Sequence, residues 1–595
     1  MAEHNGQTED FVLKDGPVEN LRPLRVVVVG AGFSGILAAI RIPEKLRNVE
    51  LVVYEKNEGV GGVWWLNNYP VNDGSGLTDG FGIAKGIACD VPSHSYQYTF
   101  APNPNWSDLY APGHEIQQYL QNVAEKFGAT RFIKTSHKVG GCVWDASQKK
   151  WKIKVENLIT GESFEDTANV LVTARGQLND INWPDIPGLA TFQGKTMHSG
   201  EWDTSFDFRN KKIGVIGNGS SAIQIIPRLQ KLEGASLSCF MRSPTWISSA
   251  FGDHSMQKLG FDPAISAFSE EQRRKFADDP EAYFKFRKVI EDDGNIIHDS
   301  TLWGTEMQAA GQAMFRAGME QKLASRPDLL KTIIPTFAPG CRRLTPGKGF
   351  LEALLEDNVD TIYDGIAAVT ETGVTTVSGR SIDLDVLVCA TGFHASSAPD
   401  FEIVGRDGVT LQERWKPIPE SYLSVAIDGF PNYLMMFGPN SAIGFGSLTK
   451  ILEAEADYAV AVIRKLQKED YATIEPKAER VKDFTAYVGA YFKKTVYTDN
   501  CKSWYRKEGD WIAALWPGST LHALEALRSP RWEDFVYEGA DPSSSTNALR
   551  WLGNGWSTTQ TSGDPSWYIN ADEVEIPYGS KPEENPRYKA RPWSY

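Results

Sequence analysis

After Arg25 come four consecutive valines, Val26-Val27-Val28-Val29, a β-branched run that passes directly into glycines. A strand that alternated between core and solvent would show polar residues at every second place, so this run predicts a strand buried on both faces of a parallel sheet. Ile213-Gly214-Val215-Ile216 repeats the pattern and again runs into glycines. A second strand is predicted after each: Leu51-Val52-Val53-Tyr54 and Ser236-Leu237-Ser238-Cys239-Phe240-Met241. Later strands are expected at Asp385-Val386-Leu387-Val388 and at Tyr433-Leu434-Met435-Met436-Phe437. Between 250 and 335 the pattern turns helical. Ser269-Glu270-Glu271-Gln272 has the form of a capping box, and Asp279-Pro280 opens a second helix with Pro280 at its first position. A third helix is predicted from Thr305 to Ser325. Residues 1–22 form a polar arm. Residues 541–595 are polar and loop-rich, with Trp551, Trp556 and Trp567 expected to anchor a tail that wraps the surface. Strand–helix alternation of this kind predicts an α/β fold.

At 595 residues the chain exceeds what one core needs. Its formal net charge of −15 opposes binding to a phosphate backbone, so no nucleic-acid partner is expected, and any anionic ligand must be held by local cations and backbone amides. No apolar run reaches the ~20 residues of a membrane span, and the N-terminus has no apolar signal segment. The six cysteines lie far apart without a C-x-x-C pair, which reads as dispersed thiols in a reducing, cytoplasmic setting. Neither G-x-S-x-G nor H-E-x-x-H occurs, so hydrolase and metal chemistry have no anchor.

Gly30-Ala31-Gly32-Phe33-Ser34-Gly35 is a G-x-G-x-x-G placed directly after the first strand. Gly30 permits the tight turn, Gly32 admits a pyrophosphate to the backbone, and Gly35 lets helix and strand pack closely. Glu55 ends the next strand, where it is placed to accept hydrogen bonds from ribose hydroxyls. Gly217-Asn218-Gly219-Ser220-Ser221-Ala222 forms a second such turn, and the strand after it leads to Arg242 instead of an acid. A guanidinium can hold a 2′-phosphate that a carboxylate would repel, so this second site is expected to prefer NADP(H). Two dinucleotide sites in one chain point to a flavin fed by a nicotinamide.

Phe192-Gln193-Gly194-Lys195-Thr196-Met197-His198-Ser199-Gly200-Glu201-Trp202-Asp203 lies between the two turns. It resembles the F-x-G-x-x-x-H-x-x-x-W-[P/D] signature of type I Baeyer–Villiger monooxygenases, in which the tryptophan sets the family apart from flavin monooxygenases of amines and sulfides. Gly61-Gly62-Val63-Trp64-Trp65, Cys89-Asp90-Val91-Pro92 and Ala390-Thr391-Gly392-Phe393 resemble further family segments over about residues 20–540. Ser503-Trp504-Tyr505 and Ala514-Leu515-Trp516-Pro517-Gly518-Ser519 look most like fungal members of secondary metabolism.

The resemblance implies FAD and NADPH as cofactors and two Rossmann-like domains. On that reading 23–180 and 386–540 form the FAD domain, 181–249 and 336–385 the NADP domain, and 250–335 a helical insertion in the latter. It implies oxidation of a hydrophobic, cyclic or polycyclic ketone by O₂ to an ester or lactone through a flavin C4a-peroxide. Cys341-Arg342-Arg343 is similar to the family's paired cationic segment. By that match Arg343 is the catalytic arginine, Asp90 the carboxylate that orients it, and Arg342 a partner of Arg242 on the 2′-phosphate. Trp64 flanks the flavin, Ser220 belongs to the second turn, and Trp504 meets the nicotinamide ribose or lines the pocket. His198 and Trp202 take a hinge role.

Val71 to Lys85 departs from the pattern, because relatives pass almost directly from Tyr-Pro to the Cys-Asp pair. The segment reads either as a loop over the substrate mouth or as a short intron translated in frame. Val-Asn can derive from a GT-AA start, Leu-Thr from a CTAAC branch site and the final Lys from AAG. Either way it is expected to disturb the reach of Asp90 to Arg343. Two rival functions follow: a heteroatom-oxidising flavin monooxygenase, and a flavin-binding protein disabled by this segment.

Overall fold

A computed structural model describes residues 13–67, 87–248, 252–263, 265–541 and 549–569. The segment 71–85 lies outside the described residues. Two five-stranded parallel sheets organise the chain. In the first, Leu24–Val29 lies between Val49–Tyr54 and Val170–Thr173, with Ile133–Lys134 and Tyr433–Met435 at the edges. Val26 and Val28 enter one hydrophobic core while Val27 and Val29 enter another on the opposite face. Burial on both faces is the physical reason for the unbroken valine run.

The second sheet repeats the plan. Lys212–Ile216 lies between Ser236–Phe240 and Val386–Cys389, flanked by Val359–Ile362 and Lys195–His198. Each glycine turn therefore leaves the carboxyl end of a central strand whose neighbours lie on opposite sides, the switch point at which α/β sheets open a crevice. A four-stranded sheet, from His137–Asp145 to Ser163–Ala168 with Glu402–Val404, covers the valine face of the first sheet.

Five α-helices occupy 253–333, among them Glu270–Asp278, Pro280–Ile296 and Glu306–Lys322. Ser269 and Gln272 make both capping-box hydrogen bonds, and the Asp279 side chain caps the helix that begins at Pro280. The expectation for the tail needs correction. Trp556 and Trp567 are exposed at 54% and 66%, and only Trp551 packs, beneath the Lys468 ammonium. The described part of the tail, residues 549–569, is held instead by backbone pairing with the N-terminal arm, Val18 N to Trp556 O (2.9 Å) and Asn554 N to Gly16 O (2.8 Å), and by Glu19. No helix among the described residues is long and apolar enough to cross a membrane.

The Leu448–Lys468 helix carries a buried carboxyl, Glu455, into the first core. Its Oε2 accepts the Phe437 N–H at 2.8 Å, whereas Oε1 has no partner among the described residues. Burial lifts its pKa from 4.5 to about 8. The native state thus holds a proton that the unfolded chain releases above pH 4.5, and the stabilisation tied to that proton is lost as pH rises towards 8. Glu455→Gln, neutral throughout, is expected to lose less Tm than the wild type between pH 5 and pH 8. Parallel Tm curves for the two proteins would contradict this.

Candidate active site

The first glycine turn is built so that two side chains must be missing and a third position stays close to neighbouring backbone. Gly30 has φ +103°, and a Cβ there would lie 2.7 Å from the Ala174 carbonyl oxygen. A Cβ on Gly35 would sit inside the Gly30 carbonyl oxygen, and one on Gly32 would approach the Gly62 Cα to 3.4 Å. The helix Phe33–Lys45 starts immediately after Gly32, so its unpaired N–H groups face the turn. Glu55 is buried and already occupied. It accepts from the Ala31 N–H (2.7 Å), the Asn57 N–H (2.9 Å) and the Asn57 Nδ2 (2.6 Å). A carboxylate offers about four acceptor positions, so Glu55 anchors the turn itself and keeps about one for a ligand hydroxyl.

The second turn follows the same rule. Gly217 has φ +123°, and a Cβ there would collide with the Ala390 carbonyl oxygen. Gly219 precedes the helix Ser220–Leu229, and the Ser220 hydroxyl pairs with Thr345 Oγ1 at 2.6 Å. Arg342 reaches over this turn, its Nη2 3.9 Å from the place of a Gly219 Cβ and its Nη1 3.5 Å from the Pro244 carbonyl. No carboxylate pairs with it among the described residues, and burial pulls its pKa below the ordinary arginine value. Arg242 is exposed two residues past the second strand and likewise has no acidic partner among the described residues. Arg342 over the glycine turn and helix N-terminus, with Arg242 past the neighbouring strand, form a donor set suited to a pyrophosphate and a further phosphate.

One cavity of about 560 Å³ joins the two turns. Gly30, Gly32, Glu55 and Trp64 line one end, and Gly219 and Ser220 another. Asp90, Arg343 and Trp504 line the same cavity. Gly35, Gly217, Arg242 and Arg342 are not among the residues that line it. Trp64 is buried and its indole N–H points to the Tyr96 hydroxyl at 3.3 Å.

Arg343 is gripped from three sides. Its Nε and Nη2 donate to the two Asp90 carboxylate oxygens at 2.9 and 2.7 Å, and Nη1 donates to the Gly444 carbonyl at 3.3 Å. The Tyr505 side chain also interacts electrostatically with the guanidinium. Burial alone would lower its pKa, but the Asp90 carboxylate outweighs burial and raises it further, so the group is a permanent cation. The expected disturbance of Asp90 is not seen. Ala88 is clamped to the second helix, its N–H on Gln224 Oε1 (3.3 Å) and its carbonyl on Gln224 Nε2 (3.2 Å), and Cys89 N–H bonds the Ala111 carbonyl.

His198 ends the edge strand Lys195–His198 and is fully buried between Trp183 and Phe393. Burial lowers its pKa to about 4, so it is neutral. Trp202 stacks on Phe208 in the core of the second sheet. Neither residue lines the cavity.

Sequence reasoning missed three contributions. Ile290, Glu291, Gly294 and Ile297 bring the helical segment into the cavity wall, although that segment carries no catalytic signature. Gln224, one turn after Ser220, could have been flagged from helical spacing. The third is a correction: Cys341 and Cys501 form a disulfide with Cα atoms 6.3 Å apart, leaving four buried free cysteines. Motif spacing detects only local pairs, and these two are separated by 160 residues.

Comparison with known proteins agrees with this geometry. Residues 23–258 match the flavin-binding monooxygenase-like family. The chain is 36% identical over 561 residues to the FAD-binding monooxygenase tazF of Aspergillus terreus, covering 93% of this chain and 95% of that one. It is 32% identical to a Baeyer–Villiger monooxygenase of Streptomyces coelicolor over 85% of this chain and 91% of the relative. Among solved structures, an oxidised steroid monooxygenase bound to NADP superposes with a TM-score of 0.69 at 28% identity, over 87% of this chain and all of that one.

Proposed function

The chain belongs to the FAD-binding monooxygenases of the Baeyer–Villiger type, and from that premise we propose that it oxidises a hydrophobic, cyclic or polycyclic ketone to an ester or lactone with NADPH and O₂. The observation that carries this reading is a cavity lined by residues of both glycine turns and by the ion-paired Arg343 and Asp90. The first turn, with Gly30, Gly32, Gly35, Glu55 and Trp64, would hold FAD. The second, with Gly217, Gly219, Ser220, Arg242 and Arg342, would hold NADPH. Bound flavin, once reduced by the nicotinamide, would supply the electrons that activate O₂, inserting one oxygen atom into the substrate and releasing the other as water.

The residues of the chain set the conditions for that chemistry. A ketone is neutral, and its carbonyl oxygen gains charge as the carbon is attacked. Arg343 offers a fixed cation at the cavity wall, which stabilises such charge more than it stabilises the neutral ketone. With its proton held so firmly, Arg343 cannot act as an acid. Asp90 fixes the guanidinium plane with a bidentate contact and leaves Nη1 directed at Gly444 on the cavity wall. Trp64, Trp504, Phe445, Leu448 and Ile290 give the wall an apolar surface for a large carbon skeleton. Cytoplasmic placement plays no part in this reading.

Arg242 sets the choice of nicotinamide. Arg242→Ala is expected to raise KM for NADPH roughly tenfold, the loss of one charge-assisted contact of about 1.5–3 kcal/mol reduced by solvent exposure, and to leave KM for NADH unchanged. An equal rise for both nucleotides would contradict the assignment. The function itself is tested by mass spectrometry of products from cyclic and polycyclic ketones incubated with NADPH and ¹⁸O₂, with an aryl alkyl sulfide as competitor. An ester carrying one labelled oxygen is expected. Sulfoxide with no ester, or no product at all, would overturn the proposal.

A further inference from the structure

The Cys341–Cys501 bridge stands at the root of the cationic wall. Cys341 is two residues before Arg343, and Cys501 is three before Trp504. Both sulfurs are buried in the core of the second sheet, whereas Trp504 and Tyr505 pack on the core of the first. The chain therefore crosses from one core to the other between 501 and 505. The covalent link lies where that crossing segment meets the arginine segment.

A small closed circuit results. From Arg343 the chain runs back to Cys341, through the disulfide to Cys501, and forward to Tyr505, whose side chain interacts electrostatically with the Arg343 guanidinium. Neighbouring contacts brace it. Ala338 N–H donates to the Asp499 carboxylate at 2.7 Å. The Arg506 guanidinium donates to the Tyr497 carbonyl (2.6 Å), to the Asp499 carbonyl and to the Cys341 sulfur (3.4 Å). Without the bridge, the two segments would be joined only by non-covalent packing and hydrogen bonds.

We infer that the Cys341–Cys501 disulfide is a positioning device that fixes Arg343 relative to Trp504 in the cavity lining. The inference rests on the proposed role of Arg343. Cysteines 341 and 501 touch no reacting atom and act through the residues they tether. Their loss leaves both glycine turns intact, so electron delivery from NADPH continues. What falls is the fraction of electrons that reach the ketone, because a misplaced cation no longer stabilises the charge developing there. The remainder reduces dioxygen to hydrogen peroxide, NADPH + H⁺ + O₂ giving NADP⁺ + H₂O₂.

The test uses the flavin-loaded full chain. Alkylation of denatured, unreduced protein followed by peptide mapping is expected to show four free thiols and a Cys341–Cys501 cross-linked peptide. Six free thiols would overturn the proposal. Cys501→Ser cuts the bridge without touching the arginine segment. It is expected to keep wild-type flavin content and flavin reduction by NADPH, while ester formed per NADPH falls roughly tenfold and hydrogen peroxide rises to match. Full coupling in Cys501→Ser would overturn the proposal. If that variant does not retain flavin, wild-type protein reduced with a water-soluble phosphine and alkylated gives the same ratio: a fall supports the clip, and full coupling overturns it. Arg343→Ala run in parallel separates the two claims. Normal ester from that variant defeats the reading of Arg343, whereas loss of ester there with full coupling in Cys501→Ser defeats the clip alone.

Discussion

Gly35→Ala is expected to yield a protein that does not retain flavin. The added methyl would occupy the Gly30 carbonyl oxygen, and neither atom can move alone. Gly30 is held at φ +103° against Ala174, and its N–H bonds the Tyr54 carbonyl at 2.8 Å. The helix must therefore lift from the strand, taking with it the N–H groups that face the turn. Overpacking in a core costs about 1–3 kcal/mol when side chains can adjust, and a backbone collision leaves less room to adjust. Visible absorbance per mole of protein measures the outcome. Full flavin content in Gly35→Ala would show that the first turn is not the flavin site.

The second large effect belongs to Asp90. Asp90→Asn keeps the shape of the side chain and removes the charge that fixes Arg343. The guanidinium would retain Gly444 but lose its bidentate plane, and breaking one member of a buried pair is costly for the charge left behind. The side chains of both partners are 22% exposed, so water relieves part of that cost, and the consequence is displacement more than unfolding. Misplacement by about 1 Å can lower a rate ~100-fold. Ester formation is expected to fall by about that factor while the rate of flavin reduction by NADPH stays at the wild-type level. Equal loss in both rates would mean that Asp90 serves general stability and not the placement of Arg343.

The parts of the molecule legible in the sequence are those set by local rules. A valine run buried on both faces can only be a central parallel strand, and glycines at 30, 35 and 217 stand where a Cβ has no space. Capping at Ser269 and Asp279 is a bargain between residues three apart, and the structure places both caps as expected. Arg343 and Asp90 were found through resemblance and not spacing, since 253 residues separate them. Their bidentate contact shows how segments distant in sequence converge on the cavity.

Other features escaped because nothing local encodes them. The disulfide joins cysteines on different segments, and neither has a partner nearby in sequence. Glu55 was read as a ligand contact, yet most of its acceptor capacity holds the turn, a distinction invisible without the Ala31 and Asn57 N–H positions. Trp556 and Trp567 were expected to anchor the tail on account of their size. Large side chains are buried only where a complementary surface exists, and these two face solvent while backbone pairing does the anchoring.

The most direct test of the account is Arg343→Ala examined in two assays on the same preparation: anaerobic bleaching of the flavin by NADPH, and ester formed from a ketone in air. Bleaching at the wild-type rate with ester reduced ~100-fold or more is the predicted result, since one preorganised donor is worth about 3 kcal/mol. Normal ester yield from Arg343→Ala would contradict the claim that this cation stabilises the charge on which the reaction depends.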